Sequence, residues 1–148
     1  MWNKLRYLLP LLALFPGCQE DDETLPYSID GAYNCFQESS WTVASVDAAL
    51  IGSWERVYYS CYSGEMEEID PGELLLVLKA DHQLEIYENG ILQRTDTWKV
   101  VPRGSENFEL ETTFIQPWLN GDIVICDGLL VFFDSYIDGC DNFFEEVI

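Results

Sequence analysis

From Ser53 onward, apolar and polar residues alternate with a period of two, the pattern of strands with one buried face. "SWERVYYSCY", "ELLLVLKA" and "QLEIYE" read as strands, and in the second of them Leu74, Leu76 and Leu78 share one face. Asn89-Gly90 then marks a two-residue hairpin, because both positions tolerate positive φ. "ILQRTDTWKVV" follows, stopped by Pro102 and Gly104, and "NFELETTFI" sets Phe108, Leu110 and Thr112 against Glu109 and Glu111. "GDIVIC", "LLVFFDS" and "CDNFFEEVI" complete eight short strands, separated by "DG" at 127–128 and "YIDG" at 136–139. No long helix joins any strand to the next, so the pattern predicts an antiparallel sandwich or an up-and-down barrel. Closure into a barrel would remove the exposed edges of strands as apolar as "LLLVL". Upstream the period is lost. Residues 26–40 read as irregular, and "VDAALIG" reads as a short helix capped by Asp47 and ended by Gly52.

The start of the chain has a different pattern. "MWNKLRY" carries Lys4 and Arg6, "LLPLLALF" is apolar, and "PGC" ends the run. That apolar stretch falls short of the roughly 20 residues of a membrane-spanning helix and fits a secretory signal. With Cys18 directly after Gly17, residues 1–17 read as a lipoprotein signal peptide whose cleavage exposes Cys18 for acylation (palmitate). Phe15 and Pro16 are unusual for such a lipobox. Several acyl chains on one cysteine make a lasting membrane anchor. Residues 18–26, acidic and poor in apolar side chains, form a tether. The "QEDDE" within it resembles the surface-export signal of some Gram-negative lipoproteins and reads equally as a plain solvated spacer; the expected location is the cell envelope, lipid-anchored at the outer membrane, with the cell surface implied by the first of these readings. Residues 27–51 are then an N-terminal segment with the short helix, and 52–148 the barrel.

Charge narrows the partners. The chain carries a net −20, and losing Lys4 and Arg6 with the signal makes it −22. Such a surface repels nucleic acid and anionic headgroups and favours cationic or neutral partners. Aromatic residues make up 14% of the chain, too many for a disordered acidic segment. Beyond Cys18 there remain Cys35, Cys61, Cys126 and Cys140, an even set in an exported chain. With a single histidine and no C-x-x-C spacing, they point to two disulfides rather than zinc.

"LIGSW", a short helix followed by Gly-x-Trp at the head of eight antiparallel strands, resembles the opening of lipocalins. "DGLLVFFDSYIDGCDNFFEEV" resembles the last hairpin of small lipocalin-like lipoproteins of Gram-negative bacteria. The resemblance implies an eight-stranded all-β up-and-down barrel, with Gly52 and Trp54 as structural positions at its base. Lipocalins pair that tryptophan with a basic residue of the last strand; "CDNFFEEVI" has none, and Arg56 is the available substitute. Leu75 and Val77, on the second face of their strand, need a cover, and residues 27–50 are the segment at hand. In such a barrel the first and last strands run side by side. Cys61 ends the first and Cys140 begins the last, so they should pair at one rim. Cys126 finishes its strand at the opposite end, where the chain comes in with Cys35, and the second bridge should join those two.

A barrel of this size can hold one small ligand. Leu76, Leu84, Ile86, Trp98, Leu110 and Phe133 are the candidate lining of such a cavity, or else they simply fill the interior as a packed core. The expected function is non-catalytic binding of a small apolar or amphipathic molecule, with no cofactor and no metal. The alternative is a surface module binding a protein or glycan through an acidic and aromatic outer face, with Trp41, Trp118 and Tyr136 as candidate platforms. An empty, dry pocket lined by those residues would favour the first, and a filled interior with exposed Trp118 and Tyr136 the second. "DSYIDGCDNFFE" (134–145) nearly matches a calcium loop, but Tyr136 fails at its third place and strands flank it, so it reads as an acid-rimmed hairpin. His82, in a turn beside Asp81, has no nucleophile near it in sequence and reads as an exposed turn residue.

Overall fold

The computed structural model describes residues 29–61, 66–133 and 139–148. The proposed signal, Cys18, the tether and Tyr136 lie outside the described residues. Two helices come first, α1 (Ile29–Gln37) and α2 (Val43–Leu50). The first occupies a stretch expected to be irregular. Gly31 and the flanking turn-formers hide it, but Ala32 and Phe36, four apart, are both buried. Tertiary docking supplies what local propensity lacks.

The start of α2 also differs from expectation. Thr42, not Asp47, is the N-cap: its hydroxyl accepts from the Ser45 amide at 3.2 Å, and Ser45 Oγ accepts from the Thr42 amide at 2.8 Å. Asp47 sits inside the helix and reaches His82, Oδ1 to Nε2 at 3.0 Å. Because α2 ends at Leu50 and Ile51 is already extended, Gly52 opens a strand instead of closing the helix.

The strands are β1 (Gly52–Ser60), β2 (Met66–Glu68), β3 (Leu74–Leu78), β4 (Gln83–Glu88), β5 (Ile91–Arg103), β6 (Asn107–Thr112), β7 (Asp122–Cys126), β8 (Leu129–Phe133) and β9 (Asp141–Glu146). Eight of them form an antiparallel up-and-down sheet in the order β6-β5-β4-β3-β1-β9-β8-β7, which curls into a nearly closed barrel. The ninth, β2, pairs with the end of β1, Tyr58 opposite Glu68, and is too short to show a period. Asn89-Gly90 makes the expected hairpin, with φ of 50° and 75°, and Asp127-Gly128 makes a second of the same kind, with φ of 47° and 80°.

Strand β5 runs through Pro102 rather than stopping before it. Residues 91–97 pair with β4 and residues 98–103 with β6. Past Trp98 only one edge of β5 belongs to a ladder, a setting that tolerates proline. The resulting offset between strands means that β6 and β7, the two ends of the sheet, share no ladder among the described residues. Their first residues meet instead: Asn107 Nδ2 donates to Asp122 at 2.7 Å, and Arg103 pairs with Asp122 at 3.2 Å. The return segment after β6, with a 3₁₀ turn at Pro117–Leu119, runs beside β6, and α1 runs beside β7.

Both expected disulfides are present, Cys61–Cys140 and Cys35–Cys126. The second fixes α1 to β7, where Ala32 and Tyr33 meet Val124, Val131 and Phe133. The N-terminal helices therefore do not cover Leu75 and Val77, which stay half-buried. They serve β7–β8 and the end of the barrel where the chain arrives. Trp54 is buried there, opposite Leu76, and its indole N–H donates to the Leu50 carbonyl at 2.8 Å. Gly52 lies opposite Leu78. Arg56 is no substitute for the basic partner of that tryptophan. It reaches away to Glu73 at 3.1 Å and Asn142 at 3.4 Å.

Candidate functional site

Register fixes which side chains point into the barrel. Leu76 lies opposite Trp54 and Ile86, Leu78 opposite Leu84, and Val100 opposite Leu110, so the alternate residues of these strands share the inner face. Five of the six expected lining residues, Leu76, Leu84, Ile86, Trp98 and Leu110, belong to it and are buried in one continuous core. Ile123, Leu130, Phe132 and Phe144 fill the opposite wall, with the Phe132 and Phe144 rings edge to face at 5.7 Å. The sixth does not belong. Phe133 has the parity of Val131, faces outward, and meets the Tyr33 ring of α1 at 6.1 Å. Of these inner side chains, Leu110 borders one of the surface clefts described below.

The inner face also carries polar groups that sequence reasoning missed. Asp96 is only 6% exposed, yet no cation answers it among the described residues. Backbone amides do: Thr97 N–H at 2.7 Å, Thr113 N–H at 3.2 Å and Phe114 N–H at 3.1 Å. Asn142, at 2% exposure, accepts from Arg56 and donates to the Cys140 carbonyl at 3.4 Å. A buried polar group stands only when bonded in this way. The alternation of "RTDTWKV" already placed Asp96 on the face of Trp98 and Val100, which is the signal that could have found it.

The remaining candidates are structural. Trp41 stacks on Phe36 at 5.1 Å and donates to the Phe36 carbonyl at 2.9 Å, and Trp118 is half-buried against the core. Both are half-buried, and Trp41 also borders a surface cleft. His82 bonds Asp47 and lies 4.9 Å from the Trp98 ring, joining α2 to the β3–β4 turn. Of the near-match to a calcium loop, residues 134–138 lie outside the described residues. Glu145, its twelfth place, is held in β9 opposite Glu55. Among the described residues, one group of metal-ligating types lies close together, Cys35, Cys126 and Asp127, and its two sulfurs are joined to each other.

The outer surface is charged and locally ordered. On β3–β4, Lys79 and the Tyr87 hydroxyl both bond Glu85, holding its carboxyl below the usual range; the same carboxylate raises Lys79 and Tyr87. Glu67 likewise raises Tyr59, whose hydroxyl it accepts. Shallow clefts lie at the surface. One of about 260 Å³ is lined by Phe36, Trp41 and the β5–β6 turn, and another of about 130 Å³ runs along β6 under Ile115.

These features define a class: an all-β, up-and-down antiparallel barrel with a packed interior, an N-terminal helical pair and two disulfides. No family model, curated protein or solved structure matches this chain.

Proposed function

We propose that this chain is an acylated cell-envelope lipoprotein with a lipocalin-like barrel, acting without catalysis as an interaction module that engages a protein or glycan through its outer face. The observation that carries this reading is the continuous buried core, to which five of the six candidate lining side chains, Leu76, Leu84, Ile86, Trp98 and Leu110, belong. A ligand site in a barrel needs a concave, mostly apolar void of some hundreds of Å³, and binding then falls to the exterior. The two disulfides support an exported location. The signal-like start and Cys18 support an anchor at the outer membrane. The acidic tether favours the cell surface, and the net charge favours cationic or neutral partners.

The anchor is tested by Cys18→Ser in a Gram-negative host with acyl labelling and fractionation. A soluble or uncleaved product is expected, and a processed form that stays in the membrane would overturn the lipoprotein reading. The module reading is tested by mass spectrometry of organic extracts of the purified mature protein. No stoichiometric small molecule is expected. Recovery of an apolar molecule at one per barrel would restore small-ligand binding as the function.

A further inference from the structure

Strand β6 ends at Thr112, and the next residues do something costly. Phe114 and Ile115 stand 54% and 76% exposed, yet their segment is tightly held. Asp96 receives the amides of Thr113 and Phe114, Thr97 Oγ1 and Thr113 Oγ1 lie 2.8 Å apart, and Thr112 Oγ1 donates to the Phe114 carbonyl at 2.5 Å. The Arg94 guanidinium sits 4.7 Å from the centroid of the Phe114 ring. Ile91 and Leu92, at the start of the same strand as Arg94, are exposed as well. A carboxylate without a cation has thus been buried to order a loop that presents an aromatic and an aliphatic side chain to water. Burying that charge opposes folding. What it secures is a preorganised anchor pair, the arrangement that lowers the ordering cost of binding and concentrates its energy.

We infer that the Phe114–Ile115 rim, with the adjoining cleft along β6, is the docking site for a polypeptide segment of a partner that alternates basic and apolar residues. This rests on the interaction-module reading and names its site and partner. Charge selects the occupant. A second copy carries the same −20, and nucleic acid and anionic bilayers are likewise repelled. Glu109 and Glu111 line the cleft beside Ile115, Glu111 pairing with Lys99 at 2.9 Å, and on β4–β6 the surface acids Glu85, Glu88, Glu109 and Glu111 outnumber the bases Arg94, Lys99 and Arg103. Apolar side chains would cover Phe114 and Ile115, while basic ones would meet the acids of the strand.

The test uses the full mature chain and two synthetic peptides of alternating residues, Lys-Leu-Lys-Phe-Lys-Leu-Lys and its Glu-for-Lys counterpart, followed by backbone amide shifts. The lysine peptide is expected to perturb residues 91–94 and 113–116, and the glutamate peptide to leave them unmoved. Phe114→Ser with Ile115→Ser, both at exposed positions, should weaken the lysine peptide about tenfold or more. Equal affinity in the double variant, or shifts confined to the β3–β4 wall, would remove this rim while leaving the module reading in place. No binding of the lysine peptide would overturn the assigned partner chemistry. Binding to phosphatidylglycerol vesicles that depends on Phe114 and Ile115 would make a membrane the occupant and overturn it as well.

Discussion

The two halves of the barrel bury their strands differently. In β3 and β4, buried residues alternate with half-buried or exposed ones: Leu74, Leu76, Leu78, Leu84 and Ile86 point in, while Leu75, Val77, Glu85 and Tyr87 stay at the surface. In β7, β8 and β9, consecutive residues are buried, as in Ile123–Ile125, Leu129–Phe132 and Asn142–Phe144. One wall of the barrel is thus a sheet with one wet face, and the other is a buried layer with cover on both sides. The cover over β7–β8 includes α1, fixed by Cys35–Cys126. Near-continuous apolar runs such as "LLVFF" are what a strand buried on both faces requires. The dry wall carries the larger share of the buried apolar surface, while the wet wall keeps one face in water.

The sharpest way to break this comparison is a pair of truncations on the outer face. Phe143 shares the face of Val131 and Tyr58 and is fully buried, so Phe143→Ala should cost about 3–5 kcal/mol. Leu75→Ala, on the outer face of the wet wall, should cost about 1 kcal/mol. Urea denaturation of both variants is the measurement, and equal losses would show that the two walls are covered alike.

Removing the staple gives a smaller effect. Replacing Cys35 and Cys126 together by serine should destabilise the fold by roughly 2–4 kcal/mol and raise binding of a hydrophobic dye as α1 loosens from Val124, Val131 and Phe133. Non-reducing peptide mapping of the parent should return Cys35–Cys126 and Cys61–Cys140. A Cys35–Cys61 bridge would contradict the strand order itself.

The wet wall predicts the smallest effect, a local titration. The Lys79 and Tyr87 bonds depress the Glu85 pKa, so any stability they lend is complete above the unfolded-state pKa of the group. It is lost as pH falls through the lower folded value. Carboxyl NMR titration should place Glu85 below an ordinary glutamate, and Lys79→Ala should bring it back toward that value. An unchanged midpoint in the variant would mean that the ion pair does not form in solution.

The strands were legible because their cause is local. A period of two in "LLLVL" and "QLEIYE", and the positive-φ pairs Asn89-Gly90 and Asp127-Gly128, mark strands and turns within a few residues of one another. The strand alternation carried the disulfide pairing too, since an up-and-down order sets which end of the barrel each cysteine reaches. Other features depended on groups far apart in the chain. Helix α1 forms because Ala32, Tyr33 and Phe36 find β7, the core and Cys126, partners that a weak local propensity cannot reveal. Whether Leu76, Trp98 and Leu110 line a void or touch one another is a matter of inter-strand offset and side-chain volume, and no pattern along the chain encodes it. The same holds for Asp96: its place on the inner face was readable, but the amides of Thr113 and Phe114 that make its burial tolerable come from the exit of the neighbouring strand β6, 17 and 18 residues further along the chain. The sequence alone determined where strands and turns fall and which cysteines can meet, because those follow from backbone geometry and alternation. Only the tertiary structure decided what fills the barrel and which apolar side chains remain in water, because packing depends on atoms that chain order does not bring together.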